Sequence, residues 1–132
     1  MNTQKYYEHV RRYFSYEDAE FGTDNSGNCV LWDARTDRRC AVGCAIPVER
    51  YQPRFEGYSV EILQKELPEA LGEVSTGFLR KTQTLHDKRA MSLYEPGQQP
   101  DYDREEALRR FICDLDTLAR DYDLKVGSLE HD

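Results

Sequence analysis

Cys29, Cys40 and Cys44 crowd one short stretch of this chain, and a His86-Asp87 pair follows inside a helical pattern. Two chemistries suit those residue types. The first is a Cys₃His zinc site on Cys29, Cys40, Cys44 and His86. Spacing opposes it. With Cys40 to Cys44 extended, their Cα atoms would stand roughly 13 Å apart, and a bulge at Gly43 would be needed to close that gap. The second is a small Cys-His enzyme, a hydrolase or transferase. Cys40 or Cys44 would supply the thiolate, His86 the base, and Asp87 or Glu56 the group that orients the imidazole. Against it, Asp87 projects about 100° around the helix from His86, and a cysteine within a strand is inert unless its pKa is lowered.

One geometric test separates an enzyme from a binding protein. An enzyme needs the Cys40 or Cys44 thiol partly exposed and within about 4 Å of His86. Otherwise the cysteines are free, structural core residues, and function falls to an exposed apolar or acidic patch. The chain has no glycine-rich phosphate-binding spacing, so no cofactor is expected.

The patch that stands out is acidic. Asp103, Glu106, Asp114 and Asp121 recur along one side of the last helical segment, with Glu105, Asp116 and Asp123 flanking them and Arg109, Arg110 and Arg120 interrupting. The formal net charge is −7. Phosphate recognition runs on lysine and arginine, so this balance argues against direct nucleic-acid binding and against adsorption to an anionic membrane. It favours a partner with a basic surface.

The elements that must position these residues follow from periodicity. A first helix, capped by Thr3, carries Tyr6, Tyr7, Val10, Tyr13 and Phe14 on one stripe. The run Gly22 to Gly27 is a loop by its turn-forming residues. Cys29 to Trp32 and Cys40 to Ile46 are short apolar runs joined by a polar stretch, which predicts a β-hairpin turning at Thr36-Asp37. That register places Cys29 opposite Cys44 and Leu31 opposite Val42, with Cys29 and Cys44 as the pair within disulfide reach. Pro47 ends the second strand. Glu56-Gly57 forms a turn with Gly57 at positive φ and Glu56 capping the next helix through the Ser59 and Val60 amides, with Ser59 as its N-cap. Pro68 interrupts that helix near Leu67. A further helix begins at Ser75 or Thr76 and carries Phe78, Leu79, Leu85 and Met91. The last helix is capped by Asp103 and buries Leu108, Phe111, Ile112, Leu115, Leu118, Ala119 and Tyr122.

Cys40-Ala-Val-Gly43, Ile46-Pro47, Tyr51, Phe55-Glu56-Gly57, then Leu79, Gln83 and His86-Asp87, with Leu118-Ala119 and Tyr122-Asp-Leu124 at the close, form a pattern across most of the chain. It resembles a family of small uncharacterised phage, prophage and bacterial proteins with Cys-x-x-Gly-x-x-Ile-Pro, Glu-Gly and Leu-x-x-x-Gln-x-x-His-Asp segments. Val48 stands where the family has an acidic residue. The resemblance implies a compact α+β domain in a viral or mobile-element setting and carries no catalytic residue with it.

A single α+β domain over 1–126 is therefore expected: a β-hairpin, or small antiparallel sheet, packed by about four helices, with a frayed tail over 127–132. The 39% apolar content suffices for a core, and no apolar run is long enough for a membrane span. The polar opening Met1-Asn2-Thr3-Gln4 leads to the expectation of no secretory leader and a cytoplasmic, reducing setting. The expected function is that of a small acidic phage- or prophage-associated accessory protein. It binds and modulates a host protein through Asp103, Glu106, Asp114 and Asp121, without metal, cofactor, membrane or nucleic acid.

Overall fold

The computed structural model describes residues 1–16, 18–24, 27–94 and 100–126, with the backbone alone for Pro100, Asp101 and Tyr102. Of the loop that the run from Tyr94 to Pro100 predicts, residues 95–99 fall outside those described, as does the 127–132 tail, and Pro100 already belongs to a helix.

Capping side chains set the helix starts. Helix α1 (Thr3–Phe14) is capped by Asn2, whose side chain accepts from the Lys5 N–H at 2.9 Å. Thr3, the expected cap, is instead the first helical residue, and its hydroxyl accepts from the Ser75 N–H at 2.9 Å. Ser59 caps α2 (Val60–Glu66) through Ile62. Pro68 then cannot continue that helix and opens the short α3 (Pro68–Leu71). Ser75 caps α4 (Thr76–Ser92) through Phe78. Helix α5 runs Pro100–Asp121, so Asp103 lies inside it rather than at its cap.

The strands differ most from expectation. Strand β1 (Trp32–Asp33) pairs antiparallel with β2 (Arg38–Arg39), Trp32 opposite Arg39 and Asp33 opposite Arg38. This register is two residues away from the one that would set Cys29 against Cys44. Asp37 takes positive φ in the turn. Beyond Arg39 the chain does not stay extended. The Cys44 N–H returns to the Cys40 carbonyl at 2.9 Å, and Gly43–Ala45 forms a 3-10 turn. The whole segment 40–46 is buried, and an apolar run buried on every side carries no alternation to tell strand from turn. Gly43 decides the matter. A Cβ there would fall 1.9 Å from the Leu31 carbonyl oxygen, so only glycine lets the two backbones meet. Two further 3-10 turns, Val48–Arg50 and Pro53–Phe55, lead to Gly57 at φ +85°.

The fold is thus α+β, with a small antiparallel hairpin packed by helices. Helices α4 and α5 lie along one another, and α1 packs on α5 and on the 43–45 turn. Tyr6, Tyr7, Val10 and Phe14 from α1 meet Phe78, Leu79 and Ala90 from α4 and Phe111, Leu115 and Ala119 from α5. The α4 stripe passes through Ala90, leaving Met91 61% exposed. The Tyr6 hydroxyl reaches Thr82 at 2.8 Å, and Thr82 is spent on the Leu79 carbonyl, so Tyr6 donates. Arg11 grips Asp116 through Nε at 2.9 Å and Nη2 at 3.2 Å, which ties α1 to α5. No helix among the described residues is long and apolar enough to cross a membrane.

Phe111 and Leu115 are fully buried at the centre. Phe111→Ala should cost about 3–5 kcal/mol and Leu115→Ala about 2–5 kcal/mol in urea unfolding. An unchanged midpoint for both would place the core elsewhere.

Candidate functional site

Helical spacing puts Gln83 and Asp87 one above the other on α4, with His86 turned inward beside them. His86 is fully buried. Its ring meets Phe14, Phe21 and Phe111 edge-on, with centroids 5.7, 5.2 and 6.2 Å away. Its Nε2 accepts the backbone N–H of Gly22 at 3.0 Å. A backbone amide can only donate, so the imidazole proton sits on Nδ1. From there it donates to Asp87 Oδ1 at 2.9 Å. Burial lowers the His86 pKa, and the bond to Asp87 opposes that shift. The pair expected to diverge around the helix therefore does meet through this hydrogen bond.

Gln83 completes the cluster. Its Nε2 donates to the same Asp87 oxygen at 2.9 Å and to the Cys29 Sγ at 3.0 Å. Its Oε1 accepts the Val42 N–H at 3.1 Å. One turn of α4 therefore holds three separate loop segments, at Gly22, Cys29 and Val42.

The remaining candidates are equally engaged. The neighbouring Cys40 thiol, followed by burial and then the Asp87 carboxylate, raises the pKa of the Cys29 thiol. Cys40 is fully buried, and its sulfur accepts the Gly43 N–H at 3.3 Å. Cys44 is buried, which pushes its pKa well up, and donates to the Ala41 carbonyl at 3.1 Å. Glu56 does not cap the Ser59 helix. Its carboxylate accepts the Leu31 N–H at 2.9 Å, the Trp32 N–H at 3.3 Å and the Tyr51 hydroxyl at 2.7 Å.

This arrangement has consequences for each chemistry considered. A Cys-His nucleophile needs a free imidazole lone pair beside a thiol that ionises. Here the lone pair is taken by Gly22, Cys40 and Cys44 are buried, and the cysteine that approaches His86 is Cys29, held protonated beside a carboxylate. For a metal, Cys29 Sγ, a His86 nitrogen and an Asp87 oxygen lie within 4.8 Å of one another. Cys44 is outside that group, with its thiol turned to Ala41. Ligation through Nδ1 would move the proton to Nε2, where it would oppose the Gly22 N–H, and Gln83 already bridges Cys29 and Asp87. These residues fit a hydrogen-bond clamp and do not fit a metal.

The acidic row is divided by the packing. At 1.5 Å per residue, Asp103 and Asp121 stand roughly 27 Å apart. Glu106 is occupied by Arg109 and by Arg110, the latter at 3.0 Å. Asp103 is also engaged. Asp114 pairs with Arg89 of α4 at 2.8 Å. Asp121 has no ion pair or hydrogen bond among the described residues. Asp114 and Asp121 line a groove of about 380 Å³ between α4 and α5, with Lys81, Leu85, Thr117 and Leu118. Two of the four predicted residues therefore share one concave surface. Gln83 and Gly22 were not singled out as candidates. Gln83 carried a signal in its four-residue spacing from Asp87, whereas nothing in a turn-rich loop marks Gly22 as a donor.

No family model matches the chain, and neither a curated protein nor a solved structure matches it.

The clamp makes a pH prediction. His86 has a depressed pKa in the folded state, so the unfolded chain takes up its proton first. Its contribution to stability is complete above the ordinary value of 6.5 and is lost as pH falls below it toward the folded value. Urea unfolding should show stability dropping from pH 6.5 to 5, with a shallower drop in His86→Leu. Equal slopes would remove His86 as the cause, because the other histidines are common to both proteins. Gln83→Ala leaves the Val42 N–H without its acceptor and should cost about 1–3 kcal/mol.

Proposed function

We propose that the protein is a non-enzymatic accessory protein that binds a basic segment of another protein in the α4–α5 groove. The motif resemblance supplies the setting, a phage or prophage protein that modulates a host factor. One observation carries the reading: the cysteines, His86, Asp87 and Glu56 are spent on holding the chain, whereas Asp121 stands exposed and unpaired among the described residues at the edge of a groove.

The groove has the composition that a lysine or arginine side chain requires. Leu85 and Leu118 give an apolar floor for its methylene stem, and the Asp121 carboxylate gives the charged head a partner. Asp114 adds negative potential while bound to Arg89. The Lys81 ammonium lies over the Tyr122 ring, 5.2 Å from its centroid. The formal charge of −7 steers a basic partner toward the molecule as a whole.

Asp121→Lys tests this without breaking an ion pair seen in the fold. It removes one negative charge and adds one positive, taking −7 to about −5. Wild-type protein used as bait in host lysate at low salt should capture a basic protein. With that protein purified, Asp121→Lys should slow association about tenfold at low salt and less at high salt. Arg120→Ala, on the outer face of α5, should leave it unchanged. Binding that Asp121→Lys fails to alter at any salt concentration would end the groove assignment.

A further inference from the structure

We infer that the cavity where the 18–24 segment, β2, α4 and α5 meet binds a small organic carboxylate, a carboxylate group on a short apolar chain. The cavity measures about 60 Å³. Phe21, Ala90 and Leu93 are buried and form its apolar end. Glu20, Arg38 and Arg104 are half-buried and form its charged end. Thr23 and Tyr94 complete the wall, and their hydroxyls meet each other at 2.9 Å. The polar character left over for a ligand therefore comes from the guanidiniums.

That charged end has a positive surplus. Glu20 divides its two oxygens between two arginines: Oε2 accepts from Arg38 Nε at 2.9 Å, and Oε1 accepts from Arg104 Nη1 at 3.0 Å. One carboxylate thus faces two guanidiniums, one from β2 and one from α5. Each guanidinium presents five N–H donors in a rigid fork, and only one nitrogen of each is spent on Glu20. Among the described residues, Arg38 Nη1 and Nη2 and Arg104 Nε and Nη2 have no partner. A second carboxylate supplies what is missing, a negative charge to balance the pair and oxygens for the open forks.

Size and lining narrow the class further. A liquid water takes ~30 Å³, so the cavity holds the volume of about two waters and admits a chain of about two to four carbons. An inorganic phosphate would set charged oxygens against Phe21, Ala90 and Leu93, where they find no donor. An apolar chain loses nothing there. The site is also separate from the α4–α5 groove: Arg104 and Asp121 stand roughly 25 Å apart along α5. The groove is proposed to take a cation and this cavity an anion, so either assignment can fail without the other.

The test is an amide chemical-shift titration of the full-length protein with sodium butyrate at constant ionic strength. The amides of Phe21, Thr23, Ala90 and Leu93 should shift and saturate, with a Kd on the order of 1 mM. Butyramide has the same shape and no charge, and should bind about tenfold more weakly or worse, as should inorganic phosphate. Arg104→Gln keeps a donor toward Glu20 and should weaken butyrate binding about tenfold, and Arg38→Gln should do the same from the other side. The butyramide comparison needs no variant, so it decides the matter even if a substitution disturbs the fold. No saturable shift with butyrate, shifts confined to other amides, equal affinity for butyramide or phosphate, or undiminished binding in a folded variant would each overturn the proposal.

Discussion

An imidazole buried among three phenylalanine rings has two nitrogens to satisfy, and the way His86 satisfies them organises the hairpin half of this molecule. A buried polar atom left without a partner costs on the order of 1–3 kcal/mol, so the requirement propagates. Gly22 occupies Nε2, which sends the proton to Asp87. Gln83 shares the Asp87 carboxylate and spends its remaining capacity on Cys29 and Val42. Among the described residues, every buried side-chain nitrogen and oxygen has a partner. The arrangement matters because the sheet is so small. Two paired residues per strand satisfy few backbone groups, and side chains do the rest. Glu56 takes the Leu31 and Trp32 amides, Gln83 takes Val42, and His86 takes Gly22.

The helices were legible in the sequence because their signals are local. The 3.6-residue apolar period marks the α1 and α5 stripes, and Ser59 and Ser75 cap where a serine precedes such a period. Boundaries failed where two capping residues compete, as with Asn2 against Thr3, and where the helix begins ahead of an apparent cap, as at Asp103. The hairpin register failed for a different reason. Register is read from alternation between a wet face and a dry one, and Cys40 to Ile46 has no wet face. Only the close approach of Gly43 to Leu31, a contact between segments distant in the pattern, makes that run a turn.

The candidate site was half legible for a related reason. Cys29, Cys40, Cys44, Glu56, His86 and Asp87 stood out by type and spacing, and they do lie in or against the hairpin half of the fold. Their roles were not legible. Whether a histidine beside a carboxylate is a base or a strut depends on what takes its other nitrogen, and here that is a glycine amide from a loop. Residue type proposes chemistry; the competing donor decides it. The acidic row shows the same limit. A helical wheel groups Asp103, Glu106, Asp114 and Asp121, but cannot say that Arg89 would claim Asp114 while Asp121 stays open.

Helix α4 connects the two functions argued from this fold. Its His86 stripe enters the core, its Gln83-Asp87 edge holds the three loop segments, and its Lys81-Leu85 side forms one wall of the groove. A helix of this kind moves as a rigid body more readily than it bends, because its backbone bonds are internal. Tightening or loosening the clamp would therefore change how α4 lies against α5 before it changed α4 itself. The Arg89–Asp114 pair crosses that seam within the groove region, so it would be the first contact to register such a shift. Asp121, about two helical turns further along α5, would keep its exposure while the width of the groove beside it changed. The clamp and the groove are thus two faces of one rigid element. The residues of the clamp thereby help set the geometry of the surface proposed to bind.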